Sequence, residues 1–126
     1  MERVATTRVI YGDTDAAGIV YYANYLRWFE IGRVELLRRK GVAYGEMTRR
    51  GIHLPVTRAE IRYLSPARYD DALVIHAGIR DLKRASISFG YRIERDDGTA
   101  LADGATTHAF TDGGGRIVRV PEGFPL

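Results

Sequence analysis

Residues 11–30 read YGDTDAAGIVYYANYLRWFE, and the fold turns on how this stretch is divided. Acids and a threonine stand at 13–15, small residues at 16–18, and from Ile19 to Phe29 the only charge is Arg27. Asp and Thr cap helix N-termini because their side chains accept the orphan amide hydrogens of a first turn. Between Ile19 and Lys40 there is no Pro, Gly occurs only at 32, and Gly41 stands where a glycine closes a helix. The reading is one long helix over residues 19–40. Its first half carries Tyr21, Tyr22, Tyr25 and Trp28 with almost no polar relief. A helix apolar nearly all round is expected to be buried nearly all round. After Glu30 the charges return and the pattern becomes amphipathic. An enclosed beginning and a wet tail call for a sheet wrapped around the helix.

The flanking chain supplies that sheet. Residues 3–11 read as a first strand, rich in Val, Ile, Thr and Tyr. Residues 44–50 add a short helical turn closed by Gly51. In 52–64 the apolar set Leu54 and Val56 changes phase to Ala59, Ile61 and Tyr63, which predicts a bulge near Thr57. SPARYDD, residues 65–71, is a loop, and 72–80 the next strand. Ile87, Phe89, Tyr91 and Ile93 alternate with Ser86, Ser88, Arg92 and Glu94, the cleanest two-residue period in the chain. Asp97-Gly98 turns it back in a hairpin. A strand over 99–111, broken by Gly104, a turn at 113–115 and a last strand over 116–120 follow, with Pro121 and Pro125 ending regular structure. Strand, long helix, then four or five consecutive strands is not a βαβ alternation. The expectation is an α+β fold, one curved antiparallel sheet wrapped around one long central helix.

At 126 residues, 45% hydrophobic and 28% charged, the chain fits a single globular domain over 1–126. It has no Cys, which excludes disulfides, thiolate nucleophiles and thiolate metal sites. No apolar run is long enough to span a membrane, and the N-terminal stretch lacks the apolar segment of a signal peptide. A soluble, cytoplasmic protein is expected. The formal net charge is +3, and Lys occurs only at 40 and 83, so the basic residues are nearly all Arg. They are interleaved with acids along the chain, which argues against nucleic acid as a partner. A smaller phosphate-bearing ligand fits an Arg-rich chain.

Most catalytic templates are absent: there is no phosphate-binding GxxxxGK[ST] loop and no GxSxG turn. His53, His76 and His108 fall on three separate predicted strands, so no metal site is expected. The anomaly is Asp13-Thr14-Asp15-Ala16-Ala17-Gly18. Capping accounts for one acid. A second carboxylate beside the free amides of a helix start, in apolar surroundings, can act as nucleophile or general base on a carbonyl. Gly18 leaves room for close approach. Capping and catalysis both remain open on local chemistry alone.

At these residues the chain resembles the hotdog-fold acyl-CoA thioesterases of the 4-hydroxybenzoyl-CoA thioesterase type, including their short-chain acyl-CoA branch. The resemblance begins in YGDTDAAGIVYYANYLRWFE and continues through LPVTRAEIRYLSPARYDD, DLKRASISFGYRI and RIVRVP. It implies hydrolysis of an acyl-CoA, with Asp15 as the catalytic carboxylate, attacking the thioester or activating water. It also implies Tyr22 as the position of the amide donor and Gly18 as the small residue that keeps the approach open. Asp13 is then loop support or a cap. Tyr22, where many short-chain members carry His, makes the chain more like the hydroxybenzoyl branch and favours aromatic or bulkier acyl groups. Lys83, Arg84 and Ser86 match the segment that binds the nucleotide end of the substrate, with Arg62 and Arg119 as further candidates. No metal or redox cofactor is implied. Family members assemble as homodimers paired into homotetramers, with active sites between subunits. Two other readings are a hotdog dehydratase or hydratase, disfavoured because no His lies near the helix start, and a non-catalytic acyl-CoA binding module.

Overall fold

The structure, a computed structural model, describes residues 1–124; the expected end of regular structure at Pro125 lies outside them. Strand β1 (Glu2–Arg8) leads to a single 3-10 turn at Tyr11–Asp13, helix α1 (Asn24–Arg39) and short helix α2 (Tyr44–Arg49). Four strands follow: β2 (Val56–Tyr63), β3 (Ala72–Leu82), β4 (Ser86–Arg95) and β5 (Ala100–Ala109). All five strands form one antiparallel sheet in the order β1-β3-β4-β5-β2, with α1 packed against β3, β1 and β4. This is the expected sheet around one helix.

The inward positions of β4 and its neighbours make the core. Ile87, Phe89, Tyr91 and Ile93 are buried together with Leu73, Ile75 and Ala77 of β3 and Leu101 and Ala102 of β5. Trp28, Phe29, Leu36 and Leu37 of α1 press onto them, and Phe29 stacks on Tyr91 with ring centroids 4.3 Å apart. Each large side chain removed from water contributes about 1.5–3 kcal/mol. Gly41 closes α1 as expected: its φ is +87° and Val42 N–H reaches back to the Leu37 carbonyl at 2.8 Å. The predicted phase slip in β2 is also present, as a register shift between Val56 and Arg58.

Four expectations are corrected. Helix α1 starts at Asn24 rather than at 19, because residues 14–20 form a small excursion closed by a bridge between Thr14 and Val20. Consequently the aromatic run is not buried all round: Tyr21 and Tyr22 precede the helix and are exposed, and Leu26 faces outward. Gly104 does not break its strand. It sits within β5 opposite Tyr91, where Phe29 lies so close that an added Cβ would be 2.8 Å from its ring and 2.3 Å from the Glu60 carbonyl oxygen. Residues 116–120 do not form a strand. Their amides go to separate partners, Val118 to Phe110 and Val120 to Arg84, with one bridge between Thr111 and Ile117.

One buried polar chain crosses this core. The Leu54 carbonyl can only accept, so His108 Nδ1 donates to it (2.9 Å) and Nε2 accepts from the Thr106 hydroxyl (2.8 Å). The Tyr91 hydroxyl in turn lies 2.5 Å from Thr106 Oγ1. Burial, with a smaller contribution from the Arg33 charge, lowers the His108 pKa below its usual 6.5, while the Leu54 bond opposes the shift. The unfolded chain therefore binds this proton at a higher pH than the folded one. The stability contributed by His108 is complete above pH 6.5 and declines as pH falls through and below that value. Urea denaturation of wild type and His108→Asn should show the wild type losing stability from pH 6.5 downward with a steeper slope than the variant. Separately, Gly104→Ala should lose at least about 1–3 kcal/mol, the scale of overpacking against groups that cannot retreat.

Candidate active site

The excursion before α1 is built around two acids with opposite environments. Asp13 is buried, 5% exposed, and Asp15 is exposed. Asp13 Oδ2 accepts the Ile10 N–H at 3.0 Å and Oδ1 accepts Arg27 Nη2 at 2.6 Å. Its carbonyl takes both the Tyr21 N–H (2.9 Å) and Asn24 Nδ2 (2.8 Å). The expected supporting role of Asp13 is what this geometry describes. Arg27 and Asn24, which the sequence reading assigned no role, complete it. The solitary charge of Arg27 in an apolar run was the signal.

Asp15 is held differently. Its N–H donates to the Ile19 carbonyl (2.9 Å), and its own carbonyl accepts the Gly18 N–H (3.0 Å). Its Oδ1 accepts the Ala17 N–H at 2.8 Å, leaving Oδ2 without a partner among the described residues. The carboxylate is thus oriented by one oxygen and available through the other. Gly18 has φ +81° with nothing within 4 Å of an added Cβ, so in this chain the turn conformation is what calls for glycine. Ahead of α1, the amides of Tyr22 and Ala23 donate to no acceptor among the described residues. Ala23 at the cap position offers no side-chain bond.

A second loop frames this one. The Ala67 carbonyl accepts the Val20 N–H (2.9 Å), the Ala67 N–H meets the Tyr25 hydroxyl (3.3 Å), and the Tyr63 hydroxyl donates to the Tyr22 carbonyl (2.9 Å). Arg95 holds the loop from behind through Asp71 (3.2 Å) and the Pro66 carbonyl (3.1 Å). Between the two loops lies a cavity of about 340 Å³ whose walls include Ile19, Val20, Tyr22, Tyr25, Tyr63 and Leu64. Burial raises the phenol pKa values of Tyr25 and Tyr63, and for Tyr63 the neighbouring phenols add to it. These two phenols therefore stay neutral well into the alkaline range. The cavity suits an uncharged, apolar or aromatic group.

The predicted site residues fall into two groups. Tyr22 lines this cavity, while Asp15 and Gly18 stand in the excursion that leads to it, where the Asp15 N–H bonds the carbonyl of Ile19, a residue of the cavity wall. Lys83, Arg84 and Ser86 are not part of it. Lys83 and Arg84 lie in the β3–β4 turn and Ser86 opens β4, with the Lys83 N–H donating to the Ser86 carbonyl at 2.9 Å. Ser86 pairs with Ala109, whereas the cavity end of the sheet is marked by Ala102, which pairs with both Ile93 and Tyr63. At about 3.4 Å per residue, the stretch of β4 from Ser86 to Ile93 puts the groups roughly 24 Å apart in one chain. Arg119 joins the second group, because the Val120 N–H bonds the Arg84 carbonyl at 2.7 Å. Arg62 is engaged by Asp103 at 2.7 Å on the sheet. Among the described residues no three His, Asp or Glu side chains converge as metal ligands, and no helix is long and apolar enough to cross a membrane.

Comparison with known proteins gives a consistent result. Residues 9–125 match the family described as the thioesterase-like superfamily. A putative acyl-CoA thioesterase of Bacillus subtilis is 36% identical over 104 residues, which is 82% of this chain and 75% of that protein. A gentisyl-coenzyme A thioesterase structure superposes with a TM-score of 0.88 at 28% identity, covering 94% of this chain and 95% of that one. A 4-hydroxybenzoyl-CoA thioesterase in complex with 4-hydroxybenzoyl-CoA gives 0.85 at 25% identity, covering 95% and 93%.

Proposed function

The chain belongs to the thioesterase-like superfamily of hotdog proteins, and on that premise we propose that it hydrolyses an acyl-CoA to the free acid and CoA. The observation that carries this reading is Asp15: an exposed carboxylate, oriented through one oxygen by Ala17 N–H, in the excursion whose Ile19 and Val20 line an apolar cavity and which runs on to the two unpaired amides of Tyr22 and Ala23. The thioester carbonyl would sit with its oxygen toward the amides of Tyr22 and Ala23, donors already in place where negative charge develops. Asp15 would attack the carbonyl carbon, expelling CoA thiolate and leaving an anhydride for water to cleave. In the other route it takes a proton from the water that attacks. The acyl group would occupy the tyrosine-walled cavity. The volume of about 340 Å³ and the neutral walls favour aromatic or short-to-medium acyl groups. No metal or redox cofactor has a role in either route.

Lys83, Arg84 and Ser86 are proposed to hold the nucleotide phosphates, with Arg119 beside them. A separation of roughly 24 Å along β4 favours a site shared between copies of the chain, as does the exposed edge strand β2. We infer a homodimer that pairs into a homotetramer. Cytoplasmic location remains part of this proposal, and a dehydratase is disfavoured because His108 is buried in the core and His53 and His76 lie elsewhere.

Release of free thiol from acetyl-, hexanoyl- and benzoyl-CoA tests the chemistry. Asp15→Asn should lose at least about 10²-fold in kcat, the scale of losing a general base or nucleophile; a folded Asp15→Asn protein with full activity would overturn the assignment. Lys83→Ala/Arg84→Ala should raise KM with kcat little changed. Mixed oligomers of that double variant with Asp15→Asn chains should recover a class of sites with wild-type KM. Only a phosphate clamp acting on the neighbouring chain's Asp15 produces that class, so its absence would place the clamp in the same chain or elsewhere.

A further inference from the structure

Resting on that reading, we propose that Asp13 and Arg27 are a positioning pair that sets the geometry between the Asp15 carboxylate and the amides of Tyr22 and Ala23. Asp13 engages every polar atom it has. Its N–H donates to the Ile10 carbonyl (3.0 Å), Oδ2 accepts the Ile10 N–H, Oδ1 accepts Arg27, and its carbonyl accepts both Tyr21 and Asn24. Such saturation in a 5% exposed carboxylate marks a rigid junction. The chain leaves this junction in two directions. Two residues onward along one arm is Asp15. One residue beyond Tyr21, the partner of the Asp13 carbonyl on the other arm, is Tyr22, with Ala23 next.

The catalytic carboxylate and its proposed oxyanion donors thus share one anchor. Among the described residues Asp15 has no anchor of its own that reaches beyond the excursion: its bonds go to Ala17, Gly18 and Ile19. The Thr14 hydroxyl is equally local, bonding the Tyr11 carbonyl at 2.7 Å. The Val20 and Tyr63 contacts tie the outer arm to the second loop. Among the described residues only Arg27 joins the carboxylate of the junction to the body of α1. It lies within the first turn of the helix, its guanidinium carbon 5.8 Å from the Trp28 ring centroid, and Trp28 is fully buried. The cation is therefore seated on the core while its head grips the loop. A short charge-assisted bond of 2.6 Å holds this contact. Neither residue touches the reacting atoms; both act through Asp15 and the amides.

Because half of the Arg27 side chain faces solvent, a free guanidinium ion can reach the space it leaves. Arg27→Ala should lower kcat by about 10- to 100-fold, the cost of a small misplacement, with KM on the same acyl-CoA changed by less than about threefold. Guanidinium chloride at a low, non-denaturing concentration should restore part of the loss, and sodium chloride at equal ionic strength should not. Independently of turnover, hydrogen exchange at Asp15, Gly18 and Tyr21 amides should accelerate at least about 10-fold, with β4 amides unchanged. Should Arg27→Ala fail to fold, Arg27→Lys and Asp13→Asn carry the kcat, KM and exchange readouts, with smaller losses expected. Wild-type kcat and unchanged loop exchange in the folded variants would overturn the proposal, as would a loss confined to KM or, in Arg27→Ala, one untouched by guanidinium. An active Asp15→Asn protein would instead overturn the catalytic reading, while the exchange measurement still decides whether the pair orders the loop.

Discussion

Helix α1 begins without a side-chain cap, since Ala23 occupies the position where Ser, Thr, Asp or Asn would close the first turn. What holds the helix start is the buried carboxylate of Asp13, reaching it through Arg27 and, by its carbonyl, through Asn24. Burying a carboxylate is costly unless charge and hydrogen bonds replace the lost water. Here an Arg and a backbone amide do so together. The arrangement also orients the excursion that carries Asp15. Remove it and the helix start, the exposed carboxylate and the free amides would lose their common reference.

The second constraint is how closely α1 approaches the sheet. Added Cβ atoms at Gly32 and Gly104 would meet Ile75 at 3.0 Å and Phe29 at 2.8 Å. Both glycines therefore serve contact rather than flexibility. With the helix seated this deeply, the concave face is filled by Trp28, Phe29, Leu36 and Leu37, and no room remains there for a substrate. The cavity consequently forms at the rim, where α1 starts and the loop after β2 passes. The rim is also where apolar surface stays exposed, at Tyr22, Tyr63 and Leu64. A fold that fills its own interior pushes its chemistry to its edge.

The sheet was legible because β4 keeps a clean two-residue alternation, and even the bulge beside Thr57 left a trace as a phase slip in β2. The helix start was misread for a physical reason. Periodicity counts apolar side chains, and Ile19, Val20, Tyr21 and Tyr22 are apolar whether they lie on a helix or in a tight excursion. Only the local hydrogen bonds, such as Asp15 to Ile19, distinguish the two. Gly104 was misread because a strand glycine signals a break or a close neighbour equally, and its neighbour Phe29 is distant in sequence. Asp15 and Gly18 could be singled out from residue types, and the solitary charge marked Arg27, but not that Asp13 is what it pairs with. The Arg27 contact spans fourteen residues and depends on where the helix begins.

The two acids also show why composition alone does not assign roles. Residues two apart on an extended strand share a face, so Asp13 and Asp15 would be expected to meet the same surroundings. They do not, because Asp13 ends a 3-10 turn while Asp15 opens the next turn, and the chain changes direction between them. One carboxylate is enclosed and saturated; the other keeps an oxygen free. A reactive carboxylate needs freedom at one atom and restraint everywhere else. A single acid can supply both only when something nearby supplies the restraint. In this chain the restraint is itself a carboxylate, placed two residues earlier and turned inward.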